Sequence, residues 1–242
     1  MAGSRASIDE LVRSLKPSEL AKTIDHTLLK PYATVEDLRR ACEEAKRYGF
    51  AALYVPPWLV EEAAKLLEGS GVNVGTVIGF PLGFTPTKVK VFEAREYARR
   101  GAKELDFVVN LMALKSGDLE MFRRDVAEVV AAIKELGCVA KAILETAYLS
   151  EEEKVIAARI AVEEGIDFLK TSTGFAPSGA TLHDVMLLAK IASGRAGVKA
   201  SGGIRHAEDA LAMIAAGATR IGTSSGARIM EEFLKLRERL RP

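Results

Sequence analysis

Apolar and polar positions along the chain alternate between two periods. Apolar residues recurring every three or four positions predict helices at Val35 to Tyr48, Thr87 to Arg100, Leu119 to Leu136, Glu151 to Glu164, Leu182 to Ala192 and Ala207 to Ala216. Between and around them lie short apolar runs that read as strands: TIDHTLL, AALYV, VNVGTVIG, ELDFVVN, VAKAILE, IDFLKT, VKASG and TRIGTS. Glycines 49, 71, 101, 137, 165, 197 and 217 stand just before seven of these strands, where a left-handed residue ends the preceding helix. Eight strands alternating with helices in 242 residues predict a parallel sheet closed as a (β/α)8 TIM barrel, a single domain over residues 1–242. An open doubly wound sheet is the alternative, but it usually carries fewer units. Residues 7 to 20 predict an additional short helix ahead of the first strand, closing the barrel bottom.

Composition narrows the functional classes. Apolar residues make up 48% of the chain, enough for a large core, and 28% are charged with a net charge of +1. That balance gives no concentrated basic footprint, so nucleic acid is not an expected partner. No run of 18 apolar residues is present, so no membrane span is expected. The first 17 residues mix charges and lack the apolar centre of a secretory signal. Cys42 and Cys138 are far apart and outside any CxxC spacing, which predicts reduced thiols in a cytoplasmic setting. His26, His183 and His206 have no companions at ligand spacing, so neither a metal nor another cofactor is expected. Glutamine is absent and asparagine occurs only at Asn73 and Asn110, a composition that leans towards a thermophilic source.

Three lysines break the apolar pattern of the strands. Lys141, Lys170 and Lys199 sit at the same phase of successive strands, 29 residues apart each time. A buried ammonium loses hydration, so lysine is a costly choice there unless the amine is used. The strand ends of such a barrel build its active site, and they also carry Asp25, Tyr54, Asp106, Asn110 and Glu145. Alternation places Asp106, Val108 and Asn110 on one face, and Ile166, Phe168 and Lys170 on another. Any one of these lysines alone reads equally well as an interior ion-pair residue. Converging amines suit Schiff-base chemistry, because a neighbouring ammonium disfavours the charged form of lysine. A free lysine, with pKa about 10.4, is neutral only on the order of once in a thousand near pH 7. Lys170, on the middle strand with Lys141 and Lys199 on either side, is the expected nucleophile, and Asp106 the expected proton carrier. The loops STG (172–174), SGG (201–203) and GTSSG (222–226) offer glycine backbones and hydroxyls ahead of a final helix, the usual phosphate cradle of these barrels.

The segments TIDHTLLKP, ELDFVVN, KAILET, DFLKTSTGF, VKASGGIR and RIGTSSG, in this order, resemble deoxyribose-phosphate aldolases, a class I family, from about residue 20 to 230. The resemblance implies reversible cleavage of 2-deoxy-D-ribose 5-phosphate to acetaldehyde and D-glyceraldehyde 3-phosphate, in deoxyribose phosphate catabolism. It implies Lys170 as the Schiff-base lysine, Lys199 as its pKa-lowering and relay partner, and Asp106 as proton donor and acceptor through water. Asp25 and Lys141 match supporting positions, and Gly174, Gly202, Gly203, Ser224 and Ser225 match the phosphate site. A phosphorylated sugar is the implied partner, and a homodimer or homotetramer the implied assembly. Tyr54 departs from the family, many members of which carry a cysteine there, and better tolerance of aldehyde is expected from the change. Rival readings are another class I barrel aldolase acting on a keto acid or ketose phosphate, and a non-catalytic phosphometabolite-binding barrel.

Overall fold

The computed structural model describes residues 7–240. Residues 1–6, part of the segment read as lacking a secretory signal, and residues 241–242 lie outside that range. Eight strands are present: β1 (Ile24–Thr27), β2 (Ala52–Tyr54), β3 (Asn73–Ile78), β4 (Glu104–Val108), β5 (Val139–Ile143), β6 (Phe168–Lys170), β7 (Gly197–Ser201) and β8 (Arg220–Thr223). All pair in parallel in sequence order, and β8 closes on β1. The chain is therefore a closed (β/α)8 barrel. The helices are α1 (Ile8–Ser14), α2 (Pro17–Ala21), α3 (Val35–Tyr48), α4 (Val60–Leu66), α5 (Thr87–Arg99), α6 (Leu111–Lys115), α7 (Leu119–Glu135), α8 (Glu151–Glu163), α9 (Leu182–Ala192), α10 (Ala207–Ala215) and α11 (Gly226–Arg239). Among the described residues, no helix is long and apolar enough to cross a membrane.

Local sequence explains these bounds. Thr34 with Asp37, and Ser150 with Glu153, form reciprocal capping boxes that start α3 and α8. Behind its cap, α3 buries Leu38, Ala41, Cys42 and Ala45 at helical spacing. Gly49 ends it in the left-handed conformation, φ 70°. Two of the seven glycines do not play that part: α4 is already capped at Leu67, four residues before Gly71, and α9 ends before Gly197. Gly197 is the first residue of β7, and Ser193 closes the helix at φ 47°. Periodicity does not predict the short α4 and α6, since each offers under two turns of pattern.

The N-terminal extension is two helices rather than one. Pro17 has no N–H to continue α1, but it suits the first position of a new helix. The pair packs on α10 and α11 in the outer ring, burying Val12, Leu20 and Ala21. The inner mouth of the barrel is filled from within instead. Register and alternation stack the inward side chains in layers drawn from alternate strands. Ala52, Glu104, Phe168 and Arg220 form the lowest layer, and Asp25, Gly75, Lys141 and Lys199 the next. Tyr54, Asp106, Lys170 and Gly222 stand above them. Most barrels of this kind fill these layers with branched apolar residues. Here the apolar core lies outside the barrel, between strands and helices, in residues such as Leu53, Phe107, Phe122 and Leu169.

Candidate active site

Strand pairing sets Lys170 directly beside Lys199. Both amines donate to one oxygen, Asp106 Oδ2, at 2.9 and 2.8 Å. Lys199 also reaches Asp25 Oδ2 at 2.6 Å. Lys141 does not flank Lys170 as equal spacing had suggested. Its register partner on β6 is Phe168, two residues before Lys170, and its ammonium turns inward to Glu104, the Tyr54 hydroxyl and Asp25. Asn110, placed on the Asp106 face by alternation, lies beyond β4 and caps α6 by accepting from the Ala113 N–H. Sequence reasoning assigned no part to Glu104 or Arg220, yet Arg220 Nη1 donates to Asp25 Oδ1 at 2.6 Å and to Glu104 Oε2 at 3.2 Å. The available signal was a charged residue opening each of two otherwise apolar strands, in phase with Asp106 and with Gly222.

Four cations (Lys141, Lys170, Lys199, Arg220) form direct ion pairs with three carboxylates (Asp25, Glu104, Asp106) inside the barrel, so full ionisation of these seven groups leaves one positive charge in excess, with buried Glu145 acting on Lys170 from farther off. Asp25, Glu104, Asp106 and the three lysines are buried, and an unbalanced charge at such positions is costly. Loss of one lysine proton removes the excess. Burial pushes Lys199 down to about 8, against the opposing pull of Asp106 and Asp25, and with help from the neighbouring lysine ammoniums. Roughly one Lys199 in ten is then neutral at pH 7. For Lys141 burial is outweighed by Asp25, Asp106 and Glu104, which hold it above the ordinary lysine value as an ammonium. Burial disfavours both aspartates' charges, but the lysines overcome it. Asp25, with further help from Arg220, is held at about 2, and Asp106 far below the usual carboxylate range.

Above this cluster a cavity of about 330 Å³ opens at the carboxyl ends of the strands. Tyr54, Lys170 and Lys199 form part of its lining, with Gly174, Gly202, Gly203 and Ser224 around it. Asp25, Asp106 and Lys141 lie beneath that lining, and Ser225 sits just outside it as the N-cap of α11. Lys30 and Arg205, in the TIDHTLLKP and VKASGGIR segments, also line the cavity, a placement that strand periodicity does not predict. Two glycine loops are stitched together there. The Ala180 N–H donates to the Ser201 and Gly202 carbonyls, and a Cβ on Gly179 would lie 2.2 Å from the Gly202 oxygen. Glu145 braces the same rim from a left-handed conformation, φ 50°. Its carboxylate accepts from the Thr173 N–H at 3.1 Å and from the Thr173 hydroxyl.

Residues 19–232 match the DeoC/LacD family aldolase profile. The chain belongs to the DeoC/LacD aldolase family. Its members' chemistry, carbon–carbon bond lysis by an aldolase, is the chemistry of this chain. The chain is 56% identical to the deoxyribose-phosphate aldolase of Thermococcus gammatolerans over 184 residues, 75% of this chain and 82% of that one. It is 47% identical to the deoxyribose-phosphate aldolase of Bacteroides thetaiotaomicron, across 81% of this chain and 82% of the relative. Among solved structures, the tetrameric deoxyribose phosphate aldolase of Aeropyrum pernix superposes with a TM-score of 0.87 at 39% identity, covering 96% of this chain and 99% of that one.

Proposed function

We propose that this DeoC/LacD family aldolase cleaves 2-deoxy-D-ribose 5-phosphate reversibly to acetaldehyde and D-glyceraldehyde 3-phosphate through a Schiff base on Lys170. The observation that carries the reading is the shared Asp106 oxygen between two lysines at the floor of a cavity ringed by glycine loops. Of the two lysines, Lys170 has a single carboxylate contact and Lys199 has two, so Lys170 breaks fewer contacts in turning to the substrate. The names of the relatives support the substrate.

Lys170 first gives up a proton across Asp106 towards Lys199, whose lowered pKa suits it to exchange protons near neutrality. The neutral amine adds to C1 of the open-chain sugar, and loss of water leaves an iminium. Removal of the C3 hydroxyl proton forms the C3 carbonyl as the C2–C3 bond breaks. Those electrons pass to C2 and the iminium nitrogen, giving an enamine and free glyceraldehyde 3-phosphate. Protonation at C2 and hydrolysis release acetaldehyde and the lysine. Asp106 carries protons in these steps through water, while Asp25 and Lys141 hold the cluster in place. Gly174, Gly202, Gly203, Ser224 and Ser225 bind the phosphate, and Lys30 and Arg205 at the same cavity add positive charge.

The whole chain acts as one catalytic domain and assembles as a homodimer or homotetramer. The exposed Tyr32, Trp58, Phe84 and Phe92 offer apolar surface for that assembly. Two buried free cysteines support a reducing, cytoplasmic setting. Borohydride reduction in the presence of substrate, followed by peptide mass mapping, should find the adduct on Lys170. No adduct, or one on Lys141 or Lys199, overturns the assignment. Lys170→Ala should be folded and inactive, and full activity in that variant refutes the mechanism.

A further inference from the structure

One member of the cluster is neither a cation nor a carboxylate. Tyr54 projects inward from β2, and its hydroxyl donates to Asp106 Oδ1 at 2.6 Å. The same hydroxyl accepts from Lys141 and stands 3.4 Å from Glu104 Oε2. All three amines lie around the ring, with Lys199 Nζ 3.5 Å from its centroid, Lys141 at 4.8 Å on the hydroxyl side and Lys170 at 5.8 Å. The neighbouring strand makes room for this ring. Gly75 is the register partner of Tyr54, and a Cβ there would lie 2.5 Å from two ring carbons. Any side chain at Gly75 would displace the phenol.

These contacts divide the Asp106 carboxylate. The phenol occupies Oδ1, so Oδ2 alone is presented to Lys170 and Lys199. A carboxylate held at one oxygen cannot rotate about its Cβ–Cγ bond without losing that bond, so the shared oxygen stays between the amines. The phenol also spreads the carboxylate's charge, which weakens its hold on the two ammoniums. Burial and the surrounding carboxylates raise Tyr54 well above the ordinary tyrosine value, so it remains a protonated donor.

We infer that Tyr54 is the positioning residue of this site: its hydroxyl fixes Asp106 so that one oxygen bridges Lys170 and Lys199, and its ring seats the Lys199 amine. The inference rests on the aldolase reading above and adds to it a residue outside the proton relay.

The test compares wild type with Tyr54→Phe, which keeps the ring and removes the hydroxyl, and with Gly75→Ala, which displaces the ring. Loss of one hydrogen bond to a charged group corresponds to a fall in kcat of about 10- to 100-fold. KM should stay within about threefold, since the phosphate loops are untouched. The acid limb of the pH profile should move upward, because a carboxylate without the phenol holds both ammoniums more firmly. The same upward shift should appear without turnover, in the pH dependence of lysine amidination by methyl acetimidate read by peptide mass mapping. A Tyr54→Phe protein with wild-type kcat and an unmoved limb in both measurements overturns the inference. So does an activity loss that only tracks a lower melting temperature. A wild-type enzyme that turns over without an adduct on Lys170 counts against the aldolase mechanism instead, and the amidination profiles still decide the role of Tyr54.

Discussion

Replacing Lys141 by methionine separates support from chemistry at this site. The two side chains are similar in length, so packing changes little, while the ammonium that touches Asp25, Glu104 and Tyr54 is lost. Asp25 keeps Lys199 and Arg220, and Glu104 keeps Arg220, so no carboxylate is stranded. The stability loss should therefore fall below the roughly 3–5 kcal/mol of a broken lone buried pair. The electrostatic effect is larger than the structural one. Lys141 and Lys199 lie 3.3 and 2.6 Å from the same Asp25 oxygen, so their charges are within about 6 Å of each other. At effective dielectrics of about 40 and 20, that repulsion is about 1.4 to 2.8 kcal/mol, or roughly one to two pK units. Without it Lys199 should rise from about 8 to at least roughly 9, and its neutral fraction at pH 7 should drop at least tenfold. The assay is the pH profile of kcat/KM beside a thermal melt. The acid limb should move up by about one unit or more, with activity recovering near pH 9. An unmoved limb, with activity lost only in proportion to unfolding, refutes the charge argument and leaves Lys141 a packing residue.

Lys90 provides a contrast outside the barrel. It is fully buried between α5 and α7, where it donates to Asp125 at 2.7 Å and to the Val108 carbonyl at 2.9 Å. Lys90→Met should cost about 3–5 kcal/mol in a denaturant melt by stranding Asp125, with the pH profile of the surviving activity unchanged; a displaced profile would join this pair to the catalytic cluster. Aldehyde resistance follows from the thiols. Cys42 and Cys138 are both buried, and burial pushes Cys42 up to about 11 and raises Cys138 as well, so neither is a ready nucleophile. With tyrosine at position 54, residual activity should survive prolonged acetaldehyde, and rapid inactivation with a covalent adduct at either cysteine would contradict this.

Much of this protein is legible in its sequence. The eight strands and the principal helices follow from periodicity, capping residues and helix-ending glycines, all local features that act before any tertiary contact forms. The phase of Lys170, Lys199 and Asp106 also follows, because alternation along a strand points every second residue inward. Relative height between strands is another matter. Equal spacing makes Lys141 and Lys199 look like symmetric neighbours of Lys170, but register is set by how the barrel closes, and it pairs Lys199 with Lys170 while it pairs Lys141 with Phe168 and leaves its amine facing Glu104. Only the folded barrel brings Arg220 to Asp25, or a tyrosine from β2 to an aspartate of β4, since these partners lie 195 and 52 residues apart. Local pattern is enough to say which strands carry amines and which loops carry glycines. The charge balance that frees one amine, and the phenol that orients the carboxylate between two of them, were decided by tertiary structure, because both depend on long-range contacts in a space that excludes water.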